Sequence, residues 1–260
     1  MEQSPQEARE PYLSLIIPAY NEETRLGATL RTVTDYLKAQ GYTWELLVVD
    51  DGSADASLAL ASAFADDHPD LPIRVIANPH RGKAYTVRTG VMQAHGKLIG
   101  FTDADLATPI DSLATTLPHF AAGSDVVIGS REGAGAARRD EPAYRHLMGR
   151  VFNGLVRVIA LPGIQDTQCG FKIMRGPVAR ELFSASRLYN EDSPPPRGPA
   201  VTGFDVELLY LARQYGYQIA EVPVDWKFVA ESKVNPIRDT LRNLRDLVMV
   251  RVNALLGRYR

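Results

Sequence analysis

Short apolar runs alternate with segments of helical periodicity along the first half of the chain. The apolar runs predict buried strands at residues 13–18, 44–49, 73–77, 97–102 and 125–129. Between them, apolar residues recur every three to four positions, which predicts helices over residues 24–40, 56–65, 83–94 and 111–120. Strands that alternate with helices of this length form a mostly parallel sheet with right-handed crossovers. We therefore predict an α/β fold, with a Rossmann-like sheet flanked by helices.

The second half of the chain is less regular. Helical spacing returns at residues 143–160 and 206–214, and a further strand is predicted at 219–224. Two segments are predicted loops: 133–140, rich in Gly and Ala, and 190–199, which contains three consecutive prolines and is a candidate lid. No internal repeat or interdomain linker is present. We expect a disordered or extended N-terminus at residues 1–11 and one domain over residues 12–236.

Residues 237–260 form a basic C-terminal segment. Six arginines stand against Asp239 and Asp246 there, a local charge of +4. Apolar residues recur at helical spacing from Leu241 to Leu256, so a basic amphipathic helix is predicted. Such a helix can lie in the headgroup region of an anionic membrane. It can equally pack on the core with a solvated arginine face, and the sequence leaves both interpretations open.

Composition and charge narrow the class of protein. The 260 residues are 45% hydrophobic and 23% charged, as in a globular protein, and the net charge of −2 argues against a general nucleic-acid-binding surface. Cys169 is the single cysteine, which excludes an internal disulfide and fits a reducing compartment. The first ten residues lack an apolar stretch, and no apolar run approaches the roughly 18 residues that span a bilayer. We expect a cytoplasmic protein, or one held peripherally on the cytoplasmic face of a membrane.

Two aspartates close the fourth predicted strand. Asp103 and Asp105 follow the run 97–102, with Ala104 between them. Open α/β sheets bind ligands at the carboxyl ends of their strands, and paired carboxylates suit Mg²⁺ or Mn²⁺, which also bridges to phosphates. The pattern indicates a metal-dependent enzyme that acts on a nucleotide diphosphate. An isolated Asp-X-Asp is more often a polar turn. Here, however, polar segments also follow other predicted strands.

Three further polar segments flank the predicted strands and helices. Residues 18–23 (Pro-Ala-Tyr-Asn-Glu-Glu) follow the first strand, and residues 50–53 (Asp-Asp-Gly-Ser) follow the second. Residues 18–23 have two interpretations: they contact a base or ribose, or they only cap the following helix through Asn21. In residues 80–83 (His-Arg-Gly-Lys), Lys83 begins a helix, where amide donors, the helix dipole and an ammonium group together bind phosphate. An ordinary surface charge is the alternative there.

These segments, in this order and spacing, resemble the family 2 glycosyltransferases of GT-A fold. The likeness continues through residues 127–131 (Val-Ile-Gly-Ser-Arg), 166–172 (Asp-Thr-Gln-Cys-Gly-Phe-Lys) and 203–209 (Gly-Phe-Asp-Val-Glu-Leu-Leu). This longer series resembles the polyprenyl (dolichyl) phosphate hexose synthases, closest to the dolichyl-phosphate glucosyltransferase branch. The resemblance implies a GT-A domain over residues 12–236 and a candidate membrane contact in the C-terminal helix at 237–260.

The resemblance also implies roles for individual residues. A donor site would be formed by Pro18, Ala19, Tyr20, Glu22, Asp51, Lys83, Asp103 and Ala104. Mg²⁺ or Mn²⁺ would be bound by Asp103 and Asp105, and the catalytic set would be Asp105, Asp166 and Arg131. The acceptor phosphate would be held by Arg131, Arg145, Gln168 and Asp205, with Arg138 and Arg139 as competing candidates. Guanidinium groups suit phosphate oxygens geometrically, which favours the arginines independently.

The implied reaction is the inverting transfer of a hexose from a nucleotide-diphosphate sugar to a polyprenyl or dolichyl phosphate. UDP-glucose is favoured as the donor and GDP-mannose comes next. Ala107 stands where mannosyl members often carry a glutamine beside the metal, and Gly149 where they tend to carry a serine near the acceptor. The alternatives are a family 2 glycosyltransferase with a soluble acceptor and a non-catalytic nucleotide-sugar binding module. The sequence predicts no oligomeric state.

Overall fold

A computed structural model describes residues 10–190, 203–229 and 236–259 of the chain. Strands and helices alternate through the first half as predicted. They are β1 (Leu13–Ala19), α1 (Leu26–Lys38), β2 (Trp44–Asp50), α2 (Ser57–Asp66), β3 (Ile73–Ala77), α3 (Lys83–Gln93) and β4 (Leu98–Phe101). The helix predicted over 111–120 is divided into a 3-10 turn (Ile110–Ser112), α4 (Leu113–Thr116) and α5 (Pro118–Ala121). Pro118 lacks an amide hydrogen, which interrupts the helical hydrogen bonding.

The second half contains elements that the sequence pattern did not reveal. In chain order it forms β5 (Val126–Ser130), β6 (Ala137–Arg139), α6 (Ala143–Ile159), β7 (Lys172–Arg175), α7 (Gly176–Ala185), α8 (Phe204–Gln214), β8 (Ile219–Pro223), β9 (Asp225–Lys227) and α9 (Pro236–Leu255). Strand β7 and helix α7 were not predicted, and the predicted loop 133–140 contains β6, which pairs with β9. Residues 1–9, and all of the candidate lid except Asn190, lie outside the described residues.

The larger sheet has seven strands among the described residues, in the order β3-β2-β1-β4-β7-β5-β8. Strand β7 runs antiparallel to its neighbours β4 and β5, and the other pairs are parallel. The predicted mostly parallel α/β sheet is therefore confirmed. Because β7 runs in the opposite direction, its first residue, Lys172, pairs with Phe101 at the end of β4. The loop before β7 thus reaches the same edge as the carboxyl ends of the parallel strands.

Helices cover both faces of this sheet. On one face the core contains Ile16, Val49 and Ile128, packed under α3 and α6 to α9. On the other face Ile17 and Val48 pack under α1, α2, α4 and α5. Successive residues of a strand point to opposite faces, so strands that are covered on both sides appear in the sequence as continuous apolar runs.

Helix α9 packs against α6 and α8, and its inward side is part of the core. Leu247 and Val250 are buried, as are the polar residues Asn243 and Asp246. Apolar residues also remain exposed on α9 and just after it, namely Leu241, Val248, Val252, Leu255 and Leu256. Within the described part of the chain, no helix combines the length and the apolar character needed to cross a membrane. The predicted boundary between one domain at residues 12–236 and a C-terminal helix at residues 237–260 remains a prediction.

Candidate active site

One edge of the larger sheet collects most of the predicted site residues. The parallel strands β1, β2, β4 and β5 all end there. The residues at or just after these ends are Pro18, Ala19, Tyr20, Glu22, Asp51, Asp103, Ala104, Asp105 and Arg131. The loop that contains Asp166 and Gln168 leads into β7 at the same edge. Open α/β sheets bind ligands at this edge, so we take it as the candidate active site.

The loops that follow β1 and β2 are joined by hydrogen bonds. The amide of Asn21 donates to Ser53 Oγ at 2.9 Å, and that of Glu22 donates to Ser57 Oγ at 2.6 Å. In return, Asn21 Oδ1 accepts from the Ala54 amide at 2.8 Å. Asn21 has a φ of 53°, which asparagine adopts more readily than most residues. Asn21 therefore links the loops that follow β1 and β2.

Asp51 is buried and binds the loop before α3. The amides of Arg81 and Gly82 donate to its carboxylate at 2.8 and 2.9 Å, and His80 Nδ1 lies 2.8 Å from Oδ2. The His80 ring stacks on Tyr20, with ring centroids 4.2 Å apart. Tyr20 and Asp51, both predicted to contact the nucleoside, thus share one wall with His80. No role was predicted for His80 from the sequence.

Lys83 is the first residue of α3 and reaches the end of β4. Its Nζ forms a hydrogen-bonded ion pair with Oδ1 of Asp103. Burial would lower the pKa of Lys83, but the carboxylates of Asp103 and Asp205 outweigh burial and raise this pKa above its ordinary value. The ammonium group therefore stays charged at neutral pH. Lys83 was predicted beside a phosphate, which remains a prediction, and the structure places it beside Asp103, one of the two predicted metal ligands.

Asp103, Ala104 and Asp105 form a tight turn after β4. The Leu106 amide donates to the Asp103 carbonyl at 3.1 Å, and Asp105 Oδ1 accepts from the Ala107 amide at 3.0 Å. Leu106 adopts a φ of 47°, a rare conformation for a bulky residue that commonly marks functional turns. Burial and the charge of Asp103 both raise the pKa of Asp105 above its ordinary value. A cation beside both carboxylates would relieve this repulsion.

The side chains at this turn fit a divalent cation that has open coordination positions. Both aspartates offer carboxylate oxygens, which hard cations prefer. Among the described residues, this turn included, no group of three or more His, Cys, Asp or Glu side chains is placed to hold a metal ion. Ala107 offers no side-chain ligand. A cation bound by Asp103 and Asp105 would thus take its other ligands from a diphosphate and water, as Mg²⁺ commonly does.

Gly170 leaves room for the carboxylate of Asp103. A Cβ atom at residue 170 would lie 1.9 Å from Asp103 Oδ2, far inside van der Waals contact. Gly170 belongs to the segment 166–172, and the loop before β7 brings it against the turn after β4. A side chain at residue 170 would therefore force the Asp103 carboxylate to move.

Gly170→Ala is expected to weaken Mn²⁺ binding about 10–100-fold, because the added methyl group displaces the Asp103 carboxylate from its place beside Lys83. Calorimetric titration with Mn²⁺ measures the effect. Gly41→Ala is the matched control, since a Cβ atom there meets no atom within 4 Å. Equal Mn²⁺ affinities for the two variants would contradict the assignment of Asp103 as a metal ligand.

Arg131 and Asp166 form a two-pronged ion pair. Nε and Nη2 of Arg131 donate to the two oxygens of Asp166 at 2.7 and 2.9 Å, and the Arg131 amide donates at 3.0 Å. Burial alone would raise the pKa of Asp166, but the Arg131 guanidinium holds this pKa well below its usual range. Burial would lower the pKa of Arg131, but its pairing with Asp166 outweighs burial and raises this pKa. Both side chains are therefore ionised at neutral pH.

This ion pair leaves one side of Arg131 available to a ligand. Asp166 is fully buried, whereas 16% of the Arg131 side chain is exposed. Among the described residues, Nη1 of Arg131 makes no hydrogen bond, and the guanidinium lies over the Trp226 ring at 5.4 Å from its centroid. A guanidinium group held in this way can bind phosphate without further ordering.

The Arg131–Asp166 pair also predicts a pH dependence of stability. Asp166 binds a proton more readily in the unfolded chain, where its pKa is about 3.9, than in the folded protein. Its contribution to the free energy of unfolding is therefore complete above about pH 4 and declines as the pH falls further. In urea unfolding between pH 3 and 7, the stability difference between wild type and Asp166→Asn should shrink towards acid. A constant difference would contradict the ionised state of Asp166, and Asp70→Asn on the surface serves as control.

Arg138, a competing candidate for the acceptor phosphate, is engaged within the protein. Its Nη1 and Nη2 donate to Glu141 and Glu132 at 2.7 and 2.8 Å. Its Nε donates to the carbonyl of Arg131 at 3.1 Å. Arg138 thus supports the backbone of Arg131, and this arrangement favours Arg131 as the phosphate contact.

The two remaining arginines lie on other elements. Arg139 is on β6 and forms an exposed ion pair with Asp225 of β9, at 2.5 and 2.8 Å. Arg145 lies on α6, and its side chain is outside the described residues. Its predicted contact with the acceptor phosphate therefore remains a prediction.

Helix α9 contributes polar residues that sequence reasoning missed. Asn243 donates to Oε1 of Gln168 at 3.3 Å. Asp246 accepts from the Tyr189 hydroxyl at 2.5 Å and from the Gly203 amide at 2.8 Å. A signal was present in the sequence, because these polar residues share a helix face with the buried Leu247. Polar residues within an apolar stripe indicate buried partners.

Asp205 forms an ion pair with a buried lysine. Its Oδ1 is 2.6 Å from Nζ of Lys172, a fully buried lysine to which sequence reasoning assigned no role. Burial raises the pKa of Asp205, while Lys172 and Lys83 oppose that shift. Its predicted contact with the acceptor phosphate remains a prediction.

Solved structures with the same architecture are glycosyltransferases of GT-A fold. Mannosyltransferase PcManGT from Pyrobaculum calidifontis, in complex with GDP-Man and Mn²⁺, aligns with a TM-score of 0.60 and 20% identity over 97% of this chain and 66% of its own. Mannosyl-3-phosphoglycerate synthase from Rubrobacter xylanophilus aligns with a TM-score of 0.66 and 17% identity over 95% and 76%. These neighbours show that the chain has the GT-A fold, as expected from the sequence.

The particular family follows from sequence comparison. The model of Glycosyl transferase family 2 matches residues 14–183, so the chain belongs to this family. The dolichyl-phosphate beta-glucosyltransferase of Drosophila melanogaster is 35% identical over 263 residues, which cover 95% of this chain and 77% of that protein. The Homo sapiens protein of the same name is 32% identical over 263 residues, with the same coverages of 95% and 77%. The resemblance stated from the motifs is confirmed.

Proposed function

We propose that this glycosyltransferase moves glucose from UDP-glucose to dolichyl phosphate or a related polyprenyl phosphate. Relatives named dolichyl-phosphate beta-glucosyltransferase, at 35% and 32% identity, support both the sugar and the acceptor. The observation in this chain that carries the proposal is the sheet edge itself, which holds an anionic pair, Asp103 and Asp105, and a cationic group, Arg131. A diphosphate donor with its bound cation requires the anionic pair, and a phosphate acceptor requires the cationic group.

The donor is proposed to bind at the ends of β1, β2 and β4. The wall that contains Tyr20 and Asp51 would contact the nucleoside, and Lys83 would contact the diphosphate. Asp103 and Asp105 would hold Mg²⁺ or Mn²⁺, which neutralises negative charge on the leaving diphosphate when bound. Solved neighbours contain Mn²⁺ with GDP-Man, or Mn²⁺ with UDP-glucose in glucosyl-3-phosphoglycerate synthase from Mycobacterium tuberculosis, and they support this assignment. GDP-mannose is the second choice of donor.

The acceptor phosphate is proposed to bind to Arg131, with Arg145 and Gln168 beside it. A phosphate monoester is already anionic near neutral pH, since its second pKa is about 6. A general base is therefore unnecessary. Asp166 is engaged by Arg131 and its pKa lies below its usual range, so it orients the guanidinium and does not accept a proton. Orientation for in-line attack supplies much of the acceleration and inverts the anomeric carbon.

We infer that the exposed sides of α6 and α9 form a membrane-binding surface. Exposed apolar residues recur at helical spacing along α6, at Tyr144, Leu147, Val151, Leu155 and Val158, and Ile159 adds to them. Exposed apolar residues of α9 add to them, and the two helices pack against each other. The exposed charged side chains described on these two helices are Arg150, Arg157 and Arg245. An apolar surface with arginines around it is complementary to an anionic bilayer. Peripheral binding on the cytoplasmic face is part of the proposal.

The double variant Val158→Glu/Leu255→Glu is expected to bind anionic vesicles at least about tenfold more weakly than wild type, because each substitution removes apolar contact and adds negative charge. Flotation with phosphatidylcholine–phosphatidylserine vesicles measures this. Leu60→Glu, an exposed leucine on α2, is the matched control. Flotation of the double variant at the wild-type level would contradict a membrane contact through α6 and α9.

An extraction assay tests the proposed reaction. Purified protein is incubated with Mn²⁺, dolichyl phosphate and either labelled UDP-glucose or labelled GDP-mannose. We expect label from UDP-glucose in the organic phase. Transfer to phosphoglyceric acid, the ligand of the Mycobacterium tuberculosis neighbour, would instead support a soluble phosphate acceptor. Donor binding without transfer or hydrolysis would support the non-catalytic binding module.

A further inference from the structure

Glu221 lies on β8 and binds the loop that carries Asp166. Its Oε1 accepts from the Asp166 amide at 2.7 Å, and its Oε2 accepts from the Gln165 amide at 2.9 Å. The Gln165 amide also lies 3.2 Å from Oε1. A carboxylate suits this task, because its two oxygens can accept from two N–H groups at the same time. Since the donors are consecutive amides, one side chain fixes the backbone directly at Asp166.

Asp166 in turn fixes Arg131. Its fully buried carboxylate accepts from Nε, Nη2 and the backbone amide of Arg131. A two-pronged pair requires both carboxylate oxygens to face the guanidinium, so a shift of Asp166 moves the guanidinium with it. Strand β8 pairs in parallel with β5, the strand that ends just before Arg131, and Glu221 lies opposite Ile128. Glu221 thus joins the Asp166 loop to the pair of strands from which Arg131 extends.

We infer that Glu221 is a positioning residue that, through Asp166, holds Arg131 where the acceptor phosphate is proposed to bind. Without this carboxylate, the amides of residues 165 and 166 lose their acceptor, and the loop turns towards water. The Asp166 carboxylate then shifts, and the Arg131 guanidinium no longer faces a phosphate in one fixed orientation. The loss falls on acceptor binding, because Arg131 belongs to the acceptor side. This inference rests on the acceptor site of the proposed function.

Solvent exchange of the Arg131 Nε–H proton, followed by NMR in isotope-labelled protein, tests this role without any ligand. In wild type the proton donates to the buried Asp166 carboxylate and should be protected. We expect exchange at least about tenfold faster in Glu221→Ala, because the ion pair opens more often when Asp166 is loosely held. Glu181→Ala is the matched control, since Glu181 is an exposed glutamate of α7 that also accepts a hydrogen bond, from the Tyr217 hydroxyl.

Transfer kinetics separate a positioning role from simple support of the fold. With a short-chain polyprenyl phosphate as acceptor, Glu221→Ala should raise the KM for the acceptor about 10–100-fold and leave the KM for UDP-glucose near wild type. A merely structural glutamate would lower the melting temperature and leave both KM values unchanged, and that result would overturn the inference. Should Glu221→Ala fail to fold, Glu221→Asp decides by the same criteria, because its shorter side chain withdraws the carboxylate from both amides.

The exchange measurement needs neither donor nor acceptor, so it separates the inference from the proposed reaction. Wild-type exchange of the Arg131 Nε–H proton in Glu221→Ala would overturn the role of Glu221 even if dolichyl phosphate is glucosylated. If exchange accelerates as expected but wild type transfers no glucose to a polyprenyl phosphate, Glu221 still positions Arg131 and the proposed acceptor is wrong.

Discussion

Asp105→Asn is expected to lower the rate of sugar transfer about 1000-fold while leaving the fold intact. The substitution keeps the shape of the side chain and the acceptor for the Ala107 amide, but it removes one of two charges that would bind the cation. A bound cation supplies several kcal/mol of charge stabilisation to the transition state, and each 1.36 kcal/mol is about tenfold in rate. Initial rates at saturating donor and Mn²⁺ measure the loss.

The same variant should not be less stable than wild type. Burial and the charge of Asp103 raise the pKa of Asp105, so ionisation of this group opposes folding at neutral pH when no cation is bound. A neutral asparagine removes that opposition, and the melting temperature without metal should be equal or higher. Asp111→Asn, an exposed aspartate outside the site, is the control. Activity within about tenfold of wild type would show that Asp105 does not bind an essential cation.

Arg131→Met is expected to abolish transfer and to destabilise the protein by about 3–5 kcal/mol. The variant removes the proposed phosphate contact and leaves Asp166 charged, fully buried and without its main partner. Urea unfolding measures the stability, and the extraction assay measures the activity. No other ion pair in the described part of the site combines a fully buried carboxylate with a partly exposed arginine.

A second substitution separates the two roles of Arg131. In Arg131→Met/Asp166→Asn the buried charge is gone, and the single amide oxygen introduced at position 166 can still accept from one of the two backbone amides, of residues 131 and 168, that donate to different oxygens of Asp166. Most of the lost stability should return, whereas transfer should not, because no guanidinium faces the acceptor. Arg139→Met, which breaks an exposed ion pair, should leave both quantities near wild type. Recovery of activity together with stability would show that Arg131 serves only the fold.

Much of the candidate site could be predicted because its residues stand at the ends of recognisable strands. Asp51, Asp103 and Arg131 each follow an apolar run, and parallel strands bring their carboxyl ends to one edge. Strand β7 escaped prediction because it has four residues, and Lys172 and Arg175 at its ends interrupt the apolar pattern. Without β7, the loop before it had no predicted place in the sheet.

The roles of individual polar residues were harder to predict than their presence at the site. Asp166 was expected in the catalytic set, and the structure shows that its carboxylate is paired with Arg131. Arg138 and Arg131 were alternatives in the sequence, and the contacts of Arg138 with two glutamates distinguish them. Such distinctions depend on which side chains meet across the fold.

Local spacing along the chain was sufficient to predict the alternation of strands and helices, the Asp103–Asp105 turn and the start of α3 at Lys83. These features arise from backbone periodicity and from residues a few positions apart. The tertiary structure alone decided that Gly170 makes room for Asp103, that Lys172 neutralises Asp205 and that Asn243 of α9 reaches Gln168. The physical reason is that these pairs lie far apart in sequence and meet only through the strand order and the direction of β7, which short-range patterns do not encode.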